Sequence, residues 1–500
     1  MARSTFSRMN IGAALIVIVA AWVMSLDLGA PVHGDYYFRQ GHVAANIEKF
    51  LEEGLSLVPN TYNRDIPYAL FDFPVYEYIV VVLVRMFGSD PLVTSRVVGI
   101  LFFLASAVYV FRITGFCGVE SRTRLLTLFF YSFSPLTLFY FHIPIPDSAV
   151  MFFSFLSFDA FLRWEADGSA WHFAWMLVPG VLATLMKNPV YLAFLAAQGW
   201  YLLSSRGLAG VLRPAFLAHA ATIAAAVVGF KLFSNSINGV EGLFAATEEE
   251  QYFGPLRDRL DENSWSRIFG VLTTQALTPI ASVLALIGAA YSWAHSKSPE
   301  RNVMTSLLVG SVVAELVFFN RHTWHAYYQL PFVLPLSFFA ACGIDGLVEI
   351  VGKALPGRLK LLWVAALVAL ILVSLSQVRQ SYNLRETNPT AWIAEQGRFI
   401  RDETRTDDFI IYLLDTDDGR DWNPIFLYEA HRDGYNLTRA RFGRRPQVLE
   451  GIRARFAPEY GRVLVFCPAA MSPRFTERLE ALGGKLYAAA PAGFLYELPG

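Results

Sequence analysis

Charge is what this 500-residue chain has least of: Asp, Glu, Lys and Arg make up 17% of it, against 54% hydrophobic and 15% aromatic residues. With a mean hydropathy of +0.39, that balance excludes an ordinary soluble protein and places the chain among polytopic membrane proteins. Cysteine is scarce as well. Cys117, Cys342 and Cys467 fall in a loop, a span and the C-terminal tail, with no evident way to pair or to build a metal site. A net charge of -1 offers no basic field for nucleic acid. There is no Walker-type loop, no dinucleotide fingerprint and no tandem repeat.

What is there is a series of apolar runs of the length that crosses hydrocarbon as a helix. They lie near residues 9–26, 92–114, 122–140, 147–164, 171–187, 189–205, 213–233, 268–293, 303–319, 327–349 and 359–377, about eleven spans in all. The first follows Arg3 and Arg8 and is read as an uncleaved span. It is long for a signal peptide, and Pro31 sits badly after the small pair Gly29-Ala30. With the N-terminus cytoplasmic, every inner loop is basic: Arg112, Arg122 and Arg124; Arg163; Arg206 and Arg213; Lys297 and Arg301; Lys353, Arg358 and Lys360. The outer turn Phe141-His142-Ile143-Pro144-Ile145-Pro146 has no Lys or Arg. This assignment needs residues 73–87, which carry Glu77 and Arg85, to lie in the interface rather than cross it.

The expected architecture is therefore an all-α membrane bundle (1–379) with juxtamembrane helices in a first extracytoplasmic loop (27–91), followed by a small extracytoplasmic α/β domain (380–500). The tail alternates helical runs with apolar strands around 409–413 and 463–466. It ends in a hairpin-like pair at 485–487 and 493–496.

The charged residues that remain gather at the outer ends of the spans. Asp35 precedes a pattern containing Tyr36, Arg39, Asn46 and Glu48, with Val43, Ile47, Phe50 and Leu51 on an apolar face. It reads either as a helix N-cap or as a base that takes a proton from an acceptor hydroxyl. Asp147, after Pro144 and Pro146, has the same N-cap alternative. Lys187, in Leu185-Met186-Lys187-Asn188-Pro189, either snorkels to the interface or binds an anion. Arg321, His322, His325, Tyr327, Tyr328 and Gln329 crowd one outer loop, where aromatics are commonly a belt but two histidines and an arginine suit a phosphate or sugar. A divalent cation would have to be held by Asp35, Asp65, Asp72, Asp147, His322 or His325. None has tight ligand spacing, which allows a divalent cation without requiring one, and no other cofactor is expected.

Five motifs, in this order, carry a resemblance: Gly34-Asp35-Tyr36-Tyr37-Phe38-Arg39, Phe73-Pro74-Val75-Tyr76-Glu77-Tyr78, Pro146-Asp147, Lys187-Asn188-Pro189 and His325-Ala326-Tyr327-Tyr328-Gln329-Leu330-Pro331. The set resembles the polyprenyl-phosphate-sugar-dependent GT-C glycosyltransferases, which include protein O-mannosyltransferases and the aminoarabinose transferase of lipid A. The likeness covers about the first 350 residues. Asp421-Trp422-Asn423-Pro424 with Leu427-Tyr428 resembles the tails of some members. The resemblance implies an inverting transfer from a lipid-linked donor at the outer face of a bacterial inner membrane to a hydroxyl of a glycolipid, lipopolysaccharide, polysaccharide or protein. It implies Asp35 as general base and Asp147 as a second acidic residue. Lys187, Arg321 and His325 are expected at the donor phosphate, with Tyr36, Arg39, Arg64, Tyr327 and Tyr328 as further binding residues. Phe73 stands where the aminoarabinose transferases have a lysine before the proline, and Lys187 is the candidate to replace it. The rival from another class is a transporter or flippase of a lipid-linked glycan. That rival needs ionisable residues at mid-depth, for which Asp159 and Glu315 are the candidates.

Overall fold

The structure, a computed structural model, describes residues 2–32, 36–58, 60–64, 72–238, 252–295, 302–352, 359–382, 391–414, 423–445, 447–469, 471 and 473–499. The chain forms two compact units. One comprises Met1–Leu28, Asp72–Tyr76 and Ser95–Tyr382; the other comprises Gly29–Phe71, Glu77–Thr94 and Asn383–Gly500. The segment after the first helix is thus gathered with the C-terminal tail.

In chain order the helices up to the tail are α1 (Ala2–Met24), α2 (Tyr37–Glu53), α3 (Val75–Phe87), α4 (Pro91–Gly115), α5 (Ser121–Ser132), α6 (Pro135–Tyr140), α7 (Asp147–Asp167) and α8 (Ala170–Arg206). They continue with α9 (Leu208–Val211), α10 (Pro214–Asn238), α11 (Glu262–Val271), α12 (Pro279–His295), α13 (Asn302–Val317), α14 (Phe319–Trp324), α15 (Leu330–Gly352) and α16 (Leu359–Tyr382). Among the described residues five helices are long and apolar enough to cross a membrane, and a pair bent by 98° at residues 277–278 makes a sixth if taken as one span. The chain is a multi-pass membrane protein, but the eleven runs of the sequence do not all become uninterrupted helices. Local chemistry explains the differences. Ser134-Pro135 splits the run at 122–140, the Ser134 hydroxyl accepting from the Thr137 N–H at the start of α6. Pro279 forces the break before α12.

The two runs at 171–187 and 189–205 join in α8, whose interior residue Lys187 is non-helical at φ -162° and ψ 85°. Pro189 lacks an N–H, so the Leu185 carbonyl loses its helical donor and accepts instead from the Phe73 N–H at 3.1 Å. The break is sharp. The Ser157 hydroxyl donates to the Met176 carbonyl at 2.7 Å and lies 2.7 Å from the Tyr191 hydroxyl. In a straight helix, residues 176 and 191 would be about 22 Å apart, so the halves fold back on each other and Lys187 sits at the tip of a helical hairpin. Gly180 is what allows this approach, because a Cβ there would collide with the Tyr191 hydroxyl.

In the second unit, α17 (Ala391–Glu403), β1 (Asp408–Leu414), α18 (Ile425–Ala430), β2 (Gly434–Thr438), α19 (Arg439–Arg444), α20 (Val448–Phe456), β3 (Arg462–Pro468), α21 (Pro473–Ala481), β4 (Lys485–Ala490) and β5 (Gly493–Glu497) follow in order. They build a sheet of strand order β2-β1-β3-β5-β4. β1 pairs in parallel with β2 and β3, and β5 runs antiparallel to β3 and β4. Both faces are covered. Ile410, Tyr412 and Leu414 pack with α17, α18 and α2, whereas Phe409, Ile411 and Leu413 pack with Phe442, Leu449 and Ile452. That two-sided burial is why β1 reads as a continuous apolar run rather than an alternating one.

The first loop is stitched to this sheet. Gly434 N–H donates to the Tyr62 carbonyl at 2.9 Å and Arg64 N–H to the Gly434 carbonyl at 2.8 Å. α2 forms as expected, but its buried face is broader and more polar than a simple amphipathic helix. Gln40, His42, Asn46 and Lys49 are buried along with Val43, Ile47 and Phe50. The reason is that α18 takes a second face, pressing Ile425 against Gly41.

Candidate active site

Asp147 is the first residue of α7, and Pro146 occupies the N-cap with no side-chain cap bond. Its carboxylate is therefore not a cap. Both of its oxygens lie 2.7 Å from the Lys187 ammonium at the hairpin tip, and the two residues are only 1% and 5% exposed. The ammonium also stands 3.7 Å from the ring centroid of Tyr327 and 5.1 Å from that of Tyr328. A buried charge is tolerated when it is paired and bonded, and here a carboxylate and two ring faces do this together. Of the two readings of Lys187, snorkelling is not what this geometry shows.

The same row continues beyond Tyr327. His325 stacks on Tyr327 with ring centroids 5.3 Å apart and an interplanar angle of 8°. Its Nε2 is 3.5 Å from Arg321 Nη1, and the Arg321 guanidinium covers the Tyr252 ring at 4.2 Å. Tyr140, fully buried, meets Tyr327 edge-on at 5.7 Å. The site thus holds two cations linked through His325 and Tyr327, in a frame of aromatic rings. Burial pushes the His322 imidazole down to about 3, so it is neutral at working pH and adds no third cation. No group of three or more His, Cys, Asp or Glu among the described residues is placed to hold a metal.

The other expected site residues belong to the second unit. Asp35 lies outside the described residues, as does Asp65. Tyr36, beside Asp35, is the N-cap residue of α2 and adopts φ 57°, a left-handed backbone that side-chain-bearing residues rarely take. The Arg64 guanidinium bonds Asp433 at 2.6 Å. Lys49 lies 3.2 Å from the same carboxylate. Arg39 is among the groups that ease the charge of Glu77.

Sequence reasoning left Glu77 without a role. Burial pushes its carboxyl up to about 7, opposed by a main-chain hydrogen bond, by Arg39 and by Asn46. The folded state therefore holds this proton more tightly than the unfolded chain. Its contribution is fully present below the unfolded value near 4.5 and is lost as pH rises to about 7. The total is about 3 kcal/mol. Glu77→Gln should accordingly melt with the parent at pH 5 and above it at pH 8, as thermal unfolding in detergent will register. Equal melting at both would remove the buried proton. Tyr140 and Tyr252 were missed because tyrosines near an interface look like any other belt residue. Only their ring contacts single them out.

No protein-family model matches the chain, and no curated protein matches it in sequence. Solved structures do. ArnT from Cupriavidus metallidurans bound to undecaprenyl phosphate aligns with a TM-score of 0.65 at 13% identity, over 97% of this chain and 97% of that one. The archaeal oligosaccharyltransferase AglB from Archaeoglobus fulgidus, in complex with an inhibitory peptide and a dolichol-phosphate, aligns at 0.56 and 13%, over 97% and 74%. The arabinofuranosyltransferase AftD from Mycobacteria aligns at 0.56 and 13%, over 98% of this chain and 41% of that one. At such identities the likeness is one of fold, and the chain has the fold of the GT-C glycosyltransferases.

Proposed function

We propose that this protein is an inverting glycosyltransferase that moves a sugar from a polyprenyl phosphate to a hydroxyl of a cell-envelope acceptor. In this reading it sits in a bacterial inner membrane with its N-terminus cytoplasmic and its site outside. The observation that carries the reading is the buried Lys187 ammonium at the hairpin tip, held by Asp147 and boxed by Tyr327 and Tyr328. Such a cation in a water-poor place favours an anion that gains charge during reaction. The ArnT structure holds undecaprenyl phosphate and the AglB structure a dolichol-phosphate, and a lipid phosphate is the group that leaves when a sugar is transferred from such a carrier.

The acceptor hydroxyl gives its proton to Asp35 as its oxygen attacks the anomeric carbon, and the bond from that carbon to the phosphate oxygen breaks. Charge then grows on the lipid phosphate. Lys187 meets it directly, and Arg321 with His325 donates from the other end of the row. Asp147 is a positioning residue in this scheme: it keeps Lys187 charged and aimed while no phosphate is present. Of the mid-depth groups that the transporter reading would use, Asp159 is paired with Arg112 at 2.7 Å and Arg163 at 2.9 Å.

The test is reconstitution with a labelled polyprenyl-phosphate sugar and a crude envelope fraction. Label must pass to an envelope glycan or lipid. Movement of intact donor across the bilayer without sugar transfer would favour the transporter instead.

A further inference from the structure

The second unit contains an open groove of about 540 Å³, a size common to small-molecule sites. Glu48, Leu51 and Glu52 line it from α2, with Tyr62, Arg401, His431 and Arg432 opposite. It shares no residue with the Asp147–Lys187 centre. Glu48 anchors it: one carboxylate oxygen accepts from the Tyr62 hydroxyl at 2.8 Å and lies 3.1 Å from His431 Nδ1. Burial, with Glu48 and Glu52 beside it, pushes the Tyr62 phenol far above its usual range, so it stays a donor. His431 is held at φ 48°, with its N–H on the Tyr428 carbonyl at 2.9 Å. The Arg432 guanidinium is bound to Thr404 and to the carbonyls of Arg401, Thr404 and His431. These walls are in place before any ligand arrives, which lowers the cost of binding one.

The lining decides the ligand's chemistry. Glu48 and Glu52 share the lining with Arg401, and Arg432 is turned to its own hydrogen bonds, so the groove carries charge of both signs and is not built for a strongly charged ligand. Its exposed wall is more apolar than polar, built from Leu51, the Tyr62 ring and the aliphatic stems of the charged residues, and the Lys49 ammonium stands 4.2 Å from that ring's centroid. A sugar ring offers such a wall its C–H face and offers the polar groups its hydroxyls, whereas an acyl chain answers only the first. A hydroxyl both donates and accepts, so a row of hydroxyls satisfies carboxylate, imidazole and guanidinium together. We propose that this groove is a saccharide-binding site, taking a short uncharged stretch of glycan whose hydroxyls bridge Glu48 and His431 to Arg401. In the transfer reading that stretch belongs to the acceptor, but the binding itself does not depend on that reading.

The experiment uses the full chain in nanodiscs and saturation-transfer NMR with a panel of uncharged trisaccharides of different linkage. A glucosamine trisaccharide and inorganic phosphate serve as charged comparators. At least one uncharged trisaccharide should bind, more tightly than either comparator. Glu48→Gln should weaken it about tenfold or more. Arg401→Ala, at an exposed side chain whose loss leaves the fold intact, should weaken it as well. The proposal is overturned if no trisaccharide binds, if phosphate binds more tightly, or if Arg401→Ala binds as the parent does. Because binding is read directly, a failed transfer assay leaves this result standing, and the reverse holds too.

Discussion

Lys187→Met is expected to lower sugar transfer by about 10²–10³-fold, the loss that follows removal of one preorganised group from a developing negative charge. The same change should also damage the fold. Asp147 is 1% exposed, and stripping its partner leaves a buried carboxylate unpaired at a cost of about 3–5 kcal/mol. The two effects separate in the double variant Lys187→Met with Asp147→Asn, which leaves no buried charge at the hairpin tip. Its melting temperature should return close to the parent's while transfer stays low. If the double variant transfers sugar like the parent, Lys187 does not meet the phosphate and the pair is structural only. Asp147→Asn alone should keep measurable transfer with weaker donor binding, because the ammonium remains but is no longer aimed.

Asp35→Asn should cost about 10²–10⁴-fold in transfer, the usual worth of a positioned general base. The amide keeps the shape of the side chain and loses only the proton acceptor. The loss should therefore fall on kcat, with the donor KM little changed, since in the proposed scheme Lys187, Arg321 and His325, not Asp35, meet the donor phosphate. Steady-state kinetics with purified donor makes the distinction. A rate equal to the parent's would remove Asp35 as the base, whereas a raised KM with unchanged kcat would move it to binding.

Much of the fold was legible because it is local. Low charge and long apolar runs place the chain in a membrane. The β4–β5 hairpin and the buried strands of the tail follow from short apolar stretches bounded by turns. Lys187-Asn188-Pro189 marked a reversal, and the reversal is there because proline leaves the Leu185 carbonyl without its helical donor. The helix interruptions at Ser134-Pro135 and before Pro279 were equally local, yet a reading by hydropathy passes over them. Each break consists of one missing hydrogen bond inside a run that stays apolar.

Partnerships were not legible. The Asp147 and Lys187 charges were both visible at the ends of apolar runs, but their pairing crosses 40 positions and depends on how α7 packs on the hairpin. Arg64 was a candidate for phosphate, and its bond to Asp433, 369 positions away, was not foreseen. The groove around Glu48 likewise draws on α2, the first loop and the residues flanking α18.

By itself the sequence determined the solvent, most of the secondary structure and the order of the polar motifs, because hydropathy, periodicity and proline act over a few neighbouring residues. Only the tertiary structure decided which charge answers which. The electrostatic energy of a pair depends on distance and burial, and neither is set until helices from distant parts of the chain have packed.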